Sequence, residues 1–370
     1  MSLGRRLRIL YVAYPMLAVS ENSCGGAEQM LWALEGEIAR RGHHTAVAAC
    51  DGSRISGTLL ATGAAPREQD RFEQREAEHT ARILAYLGRV QQSSQRYDVV
   101  HDESGWFWRH ASEVDAPVLA TLHLPRSFHP AGAFDQLPPN LLFNCVSDTQ
   151  LRTFAELPRL VGVVRNGIRL ELFPPTRARR EDYLLWMGRI CPEKGAHVAI
   201  EVARRAGLPL AIAGDVYPFS YHQAYFECEI RPHLSERMPI VRYAGPPGFE
   251  EKLDLLRRAR ALLLPSLVDE TSSLVAMEAM ACGTPVVAFR RGAIPEIVRD
   301  GVTGLLVNTV EEMVRAVGGV GEINPLTCRT HIEANFSASC MAAEYERLYE
   351  DVIRRSVAAA EGGCRLATLG

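Results

Sequence analysis

Lysine is almost missing from this chain of 370 residues: it occurs at Lys194 and Lys252 only, and the remaining cationic side chains are arginines apart from the histidines. Charge of one sign is also lacking. The formal net charge is -3 and neither half is polarised, which excludes the strongly basic face of a nucleic-acid-binding protein. No apolar run approaches the roughly 18 residues that a membrane span needs. The nine cysteines are scattered without a CxxC pair, so the spacing indicates neither a zinc site nor a disulfide framework, and reduced thiols of a cytoplasmic protein are the reading. A GxGxxG fingerprint is absent from both halves, which weakens a dehydrogenase reading. Arginines precede an apolar run in MSLGRRLRILYVAYP, as in a signal peptide, but Leu7 to Val12 is short and no small-residue cleavage site follows. That run reads as a buried first strand.

What is present is an alternation. Apolar or β-branched runs (LRILYVAY, TAVAAC, YDVVH, PVLATLH, LLFNCV and VGVVRNG, then YLLWMG, LPLAIAG, PIVRYAG, ALLLPS, PVVAF and TGLLV) are separated by amphipathic stretches such as AEQMLWALEGEIARRG and FEEKLDLLRRAR. Strand–helix alternation of this kind implies parallel sheets covered on both faces. The chain also exceeds the length at which one core stops growing. The expected fold class is therefore α/β, with two doubly wound parallel-sheet domains facing a cleft. The first covers 1–170 and the second 183–336, joined by a Pro/Arg-rich linker at 171–182. A closing helix spans 337–357 and a frayed tail 358–370. Ligands of such sheets bind beyond the carboxyl ends of the strands, so the loops leaving the strands carry the interest.

One of those loops is followed by VDETSSLVAMEAMACGTPVVAF, which takes two carboxylates, Glu270 and Glu278, into apolar surroundings. Burying a carboxylate costs several kcal/mol unless it is paired. Thr271, Ser272 and Ser273 are good N-cap residues, so a helix should start near Leu274 and stop at Gly283. Glu270 then precedes the helix and Glu278 sits in its second turn, their backbones ~10–12 Å apart. The helix start between them offers free N–H groups and a positive dipole end to a diphosphate. Glu278 could accept from ribose hydroxyls and Glu270 from those of a sugar. A surface glutamate and a helix-capping acid are the plain alternative.

The loop after YLLWMG, Gly188 to Gly195, carries Arg189 and Lys194, a planar fork and a point charge suited to a diphosphate leaving group. The loop after the first strand contains Gly25 and Gly26, which allow close approach to the backbone or simply make a turn. His123 ends PVLATLH and His101 ends YDVVH, each either structural or ligand-facing. Asn166-Gly167 reads first as a tight turn and second as a ligand contact.

Taken together, GGAEQ, ATLHLP, VVRNGI, MGRICPEKG and DETSSLVAMEAMACGTPVVAF with GAIPEIVRDGVTGLLV resemble the retaining glycosyltransferases of family 4, also called group 1, whose hallmark is Glu, seven residues, Glu. The match covers about Leu7 to Val357 and is densest from Glu270 to Val307. The resemblance implies the GT-B fold, two Rossmann-like domains with the last helix crossing back to the first. It also implies a nucleoside-diphosphate sugar donor, no cofactor, no required metal and retention of anomeric configuration. By the same resemblance Arg189 and Lys194 bind the diphosphate, Glu278 the ribose and Glu270 the sugar. His123 is the active-site histidine, Gly25 and Gly26 form the glycine loop near the phosphates, and the backbone N–H groups of Ser273 and Leu274 face phosphate and sugar. Where the family often has Glu-Gly-Phe-Gly-Leu, this chain has Glu270-Thr271-Ser272-Ser273-Leu274, which leaves the donor sugar open.

The expected activity is thus metal-independent, retaining sugar transfer to an unidentified hydroxyl on a lipid, a glycan or a small metabolite. The alternatives are a nucleotide-sugar epimerase, or a degenerate homologue that binds a nucleotide sugar without turning it over. A phosphorylase would need a lysine placed for pyridoxal phosphate, and only two lysines are available. Peripheral membrane contact through Arg67 to Arg96 competes with the five acidic residues before Thr80, so a solvated helix is the better reading.

Overall fold

Along the first strand, Ile9 and Tyr11 turn to one face and Leu10 and Val12 to the other, and all four are out of solvent. A period of two with apolar residues on both faces belongs to a strand covered on both sides. The computed structural model that displays this describes residues 5–21, 23, 25–65, 72–90, 93–176, 180–234 and 240–367, the last ten as backbone. It divides into two units, Met1–Gly167 with Ala338–Gly370, and Ile168–Ser337.

The first unit runs β1 (Arg8–Val12), α1 (Gly26–Arg40), β2 (His44–Ala49), β3 (Thr58–Ala61), α2 (Phe72–Val90), β4 (Val99–Asp102), β5 (Val118–Leu122), β6 (Leu141–Cys145), α3 (Asp148–Thr153) and β7 (Leu160–Val163). Its seven strands lie in the order β3-β2-β1-β4-β5-β6-β7, and every pairing is parallel. The edge strand β3 had not been expected. Its TLLA is short and only half-buried, so it lacks the continuous apolar signal of an inner strand.

The second unit runs β8 (Leu184–Met187), α4 (Ala196–Ala206), β9 (Leu210–Ala213), α5 (Ser220–Tyr225), β10 (Val241–Gly245), α6 (Phe249–Arg258), β11 (Ala261–Leu264), α7 (Leu274–Ala281), β12 (Val286–Phe289), α8 (Ile294–Ile297), β13 (Gly304–Val307), α9 (Val310–Gly319) and α10 (Pro325–Asn335). The order is β10-β9-β8-β11-β12-β13, again all parallel. On β8, Leu185 and Met187 enter one core and Leu184 and Trp186 the other. The α/β reading with two doubly wound parallel sheets therefore holds. In each sheet the strand order reverses once, between β1 and β4 and between β8 and β11, which is where such sheets place their ligands.

Two boundaries differ from expectation. The start of the stretch read as a linker packs on the second unit, with Phe173 5% exposed in its core and Leu170 and Leu172 against it. LELF is apolar enough to gain more from burial than from hydration. Residues 177–179 lie outside the described ones. The closing helix, α11 (Ala338–Ala367), is longer than 337–357, because no proline stops it after Val357. Its Met341, Ala342, Tyr345 and Tyr349 join the first unit's core beside Ile9 and Tyr11. The seven described cysteines are free thiols. Among the described residues no helix is long and apolar enough to cross a membrane. Of Arg67 to Arg96, α2 starts at Phe72, and 66–71 lie outside the described residues.

Candidate active site

In the second unit, both motif loops leave the reversal point: Gly188–Gly195 follows β8, and the Glu270 loop follows its neighbour β11. The two are tied together. Leu267 N–H donates to the Glu193 carbonyl at 2.8 Å, and Trp186 Nε1 donates to the Lys194 carbonyl at 3.1 Å. Gly195 has φ +70, and a Cβ there would lie 2.2 Å from the Pro265 carbonyl oxygen, so only glycine lets the loops approach this closely.

The approach brings Lys194 Nζ to 2.6 and 2.7 Å from the two carboxylate oxygens of Glu270. Ser266 Oγ donates to Glu270 Oε1 at 2.5 Å. Glu270 is 12% exposed and Lys194 31%, so the pair reaches solvent only on one side. Behind it, Ala293 N–H donates to the Glu270 carbonyl at 2.7 Å. Helix α7 starts at Leu274 as expected. Ser273 is its N-cap, with Oγ accepting from Ala276 N–H at 3.4 Å. Ser272, Ser273 and Leu274 are half-buried at this helix start.

Glu278, in the second turn of α7, is 3% exposed. Its partner is the chain's other lysine. Lys252 Nζ on α6 lies 2.6 Å from Glu278 Oε1 and 5.5 Å from the centroid of the Phe173 ring. Burial pushes the Glu278 carboxyl above its ordinary range, and the Lys252 charge and hydrogen bond oppose that only in part. Lys252 was not singled out from the sequence. One signal could have found it: two lysines in the chain, and two glutamates in need of a cation.

Arg189 is placed differently from Lys194. Its guanidinium is 40% exposed, 3.5 Å from Glu193, and lies 5.6 Å from the centroid of the Tyr217 ring. The described partners of Glu270 are Lys194 and Ser266, so the two expected diphosphate cations stand on one loop but not in one ion pair.

In the first unit, the loops after β1, β4 and β5 surround the other reversal point. His123 follows β5, and its Nε2 hydrogen-bonds Glu103 Oε2, the residue after β4. The same carboxylate lies 3.0 Å from His101 Nε2. Burial would push the Glu103 carboxyl up, but the fields of His101 and His123 outweigh it and hold it down at about 2. Burial would likewise depress His123, yet Glu103 first, then Glu28 and Asp102, raise it above its ordinary value. Glu103 is another residue that sequence reasoning passed over. His101 itself is fully buried, with Nδ1 2.8 Å from Tyr349 Oη and Nε2 2.7 Å from Thr121 Oγ1, which gives it a core role.

Gly25 precedes α1 and Gly26 is its first residue. A Cβ at Gly25 would lie 1.9 Å from Glu28 Oε2: the missing side chain makes room for a buried glutamate. Neighbouring Asn22 and Cys24 lie outside the described residues. Asn166 is 7% exposed, and its Oδ1 is buried without a hydrogen-bond partner among the described residues.

Two doubly wound parallel sheets of this order define the GT-B class of fold, and solved structures of that class superpose on the chain. Sucrose-phosphate synthase from Thermosynechococcus elongatus matches with a TM-score of 0.76 at 19% identity, covering 95% of this chain and 100% of that one. HepE from Anabaena in complex with UDP-glucose matches with 0.72 at 15% identity, covering 94% and 100%. Residues 181–320, all within the second unit, match the family described as glycosyl transferases group 1. In sequence the chain is 30% identical over 253 residues to the D-inositol 3-phosphate glycosyltransferase of Streptomyces scabiei, covering 57% of this chain and 56% of that protein. The chain spans about half the length of curated relatives that it matches, 63% for one and 41% for another.

Proposed function

We propose that the protein is a retaining glycosyltransferase of family 4 that moves a sugar from a nucleoside-diphosphate donor to a hydroxyl acceptor without needing a metal. The observation that carries the reading is Lys194, held by Glu270 at the reversal point of the second sheet, beside the start of α7. An ammonium, a helix N-terminus and the nearby guanidinium of Arg189 make a cationic rim for a departing diphosphate. HepE is a solved neighbour with UDP-glucose bound, and the group 1 match falls on the unit that carries this rim.

In the proposed reaction the anomeric carbon–oxygen bond to the diphosphate breaks while the acceptor oxygen bonds the same face. The acceptor proton passes to the leaving phosphate. Lys194, Arg189 and the N–H groups of Ser273 and Leu274 neutralise the charge that gathers on the diphosphate. Glu270 positions the sugar and keeps the Lys194 side chain extended. Glu278, bonded to Lys252 through Oε1, is assigned to the ribose hydroxyls by its place in the Glu-seven-Glu spacing. His123, whose hold on a proton Glu103 strengthens, is assigned to the sugar by its resemblance to the family's histidine. Free thiols and the lack of a described membrane-spanning helix are compatible with a cytoplasmic protein, which is where we propose it works.

A thermal-shift panel of UDP-, GDP-, ADP- and dTDP-sugars tests the donor assignment, since a ligand that binds only the native state raises its melting temperature. One nucleotide sugar should raise Tm in the wild type and not in Lys194→Ala. If no member of the panel shifts Tm, the donor assignment fails. The anomeric configuration of the product, read by NMR, then decides retention.

A further inference from the structure

Cys191, Glu193 and His222 come from separate segments, the first two from the loop after β8 and the third from α5, beyond β9. Their ligating atoms all lie within 4.8 Å of one another. His222 is fully out of solvent, yet neither ring nitrogen has a hydrogen-bond partner among the described residues. A buried imidazole with both nitrogens orphaned has given up its hydrogen bonds to water without replacement, a cost that a ligand on the ring would relieve. The rings of Tyr221, Phe219 and Tyr217 close around it, with centroids 4.2, 5.1 and 6.1 Å away. Cys191 is also fully buried, and the Glu193 side chain is 23% exposed.

We propose that Cys191 Sγ, Glu193 carboxylate and a His222 ring nitrogen form a zinc-binding site with one coordination position left open. A thiolate with an imidazole selects zinc over the hard cations magnesium and calcium, and three protein ligands with an open fourth position is an established zinc arrangement. On binding, the Cys191 thiol gives up its proton to solvent. The contacts surrendered are weak: a thiol donor, Cys191 Sγ to the Arg189 carbonyl at 3.5 Å, and Arg189 to Glu193 at 3.5 Å, which is long for N–H···O. Ligation joins α5 to the loop that carries Arg189 and Lys194 and releases Arg189 from Glu193. The metal itself takes no part in the transfer step, although its ligands share a loop with Arg189 and Lys194, and no pattern of neighbouring cysteines announces the site.

Cobalt(II) is the probe, because a thiolate ligand gives it a charge-transfer absorption band. The full chain, stripped with a chelator and kept reduced, should develop that band with saturation at one equivalent, and zinc should abolish it. Zinc should also raise Tm. Cys191→Ser should lose the band, whereas Cys228→Ser, at an exposed thiol six residues past His222, should keep it. Glu193→Gln, partly exposed and able to fold whether or not metal binds, should weaken cobalt binding at least ~10-fold, as loss of a ligand must cost no less than loss of a supporting hydrogen bond. Absence of the band in folded wild type overturns the proposal. So does unchanged affinity in Glu193→Gln, or loss of the band in Cys228→Ser.

Discussion

Lys252 Nζ lies 2.6 Å from Glu278 Oε1, with 17% and 4% of the two side chains exposed. The other lysine, Lys194, makes the corresponding contact with Glu270. The two carboxylates of the Glu-seven-Glu spacing are thus each paired with one of the chain's two lysines, one from the loop after β8 and one from α6. The arrangement offsets part of the desolvation cost of Glu278, and it separates a nearly buried pair from one that opens to solvent.

The buried pair predicts a stability effect. Lys252→Met leaves Glu278 without its cation and should destabilise the second unit by about 3–5 kcal/mol. The drop would appear as a lower Tm of the whole chain. Lys252→Met with Glu278→Leu should recover most of the loss, because replacing both partners leaves no uncompensated charge. A single mutant as stable as wild type would mean that Glu278 is already neutral in the folded protein.

The open pair predicts a rate effect. Lys194→Ala should remove about 2–4 kcal/mol of transition-state stabilisation, a roughly 30- to 900-fold loss in kcat at saturating donor. Its Tm should change less than that of Lys252→Met, since Glu270 keeps solvent on one side and its bond from Ser266. Turnover close to wild type in Lys194→Ala would remove this residue from the reaction.

The Glu103–His123 pair predicts a pH window. Glu103 sits below its ordinary value of 4.5, so its share of stability is present above about pH 4.5 and is lost as pH falls toward about 2. His123 sits above its ordinary value of 6.5, so its share is present below about pH 6.5 and is lost as pH rises through the raised value. Both are at full strength between those limits. Glu103→Gln should therefore lower Tm most near pH 5.5, by the equivalent of about 1.5–3 kcal/mol for a charged hydrogen bond, and less at pH 9. A Tm deficit that does not vary with pH would show that the pair is not ionised.

A glycine outside both motif loops predicts a displacement of Glu270. Gly292 has φ +52, and a Cβ on it would lie 2.3 Å from the carbonyl oxygen and 2.5 Å from the nitrogen of Glu270. Backbone cannot yield as a side-chain tip does, so Gly292→Ala should cost about 1–3 kcal/mol of strain and lower transfer further by shifting Glu270. Gly301, with φ +72 but open space around it, is the control: Gly301→Ala carries only the backbone penalty of ~1 kcal/mol. Equal effects from the two substitutions would argue against the close approach.

Much of this architecture was legible in the residue order. Both inner-strand series show as continuous apolar runs, because a strand covered on both faces has no polar side to disguise it. The start of α7 at Leu274 shows through its serine cap, and its end through Gly283. What escaped were features without such a signal. The edge strand β3 is too short and too exposed, and LELF looks like linker until it finds a core. The zinc-ligand candidate His222 is separated from Cys191 by a whole strand and helix.

By itself the sequence determined that two parallel α/β sheets would form and that their strand-end loops would carry the charged motifs, because periodicity and caps act over a few residues. Which ammonium meets which carboxylate, and that Glu103 holds His123, were decided only by the tertiary structure. Those partners lie tens of residues apart, and only strand order brings their loops within the few ångströms over which ionic hydrogen bonds act.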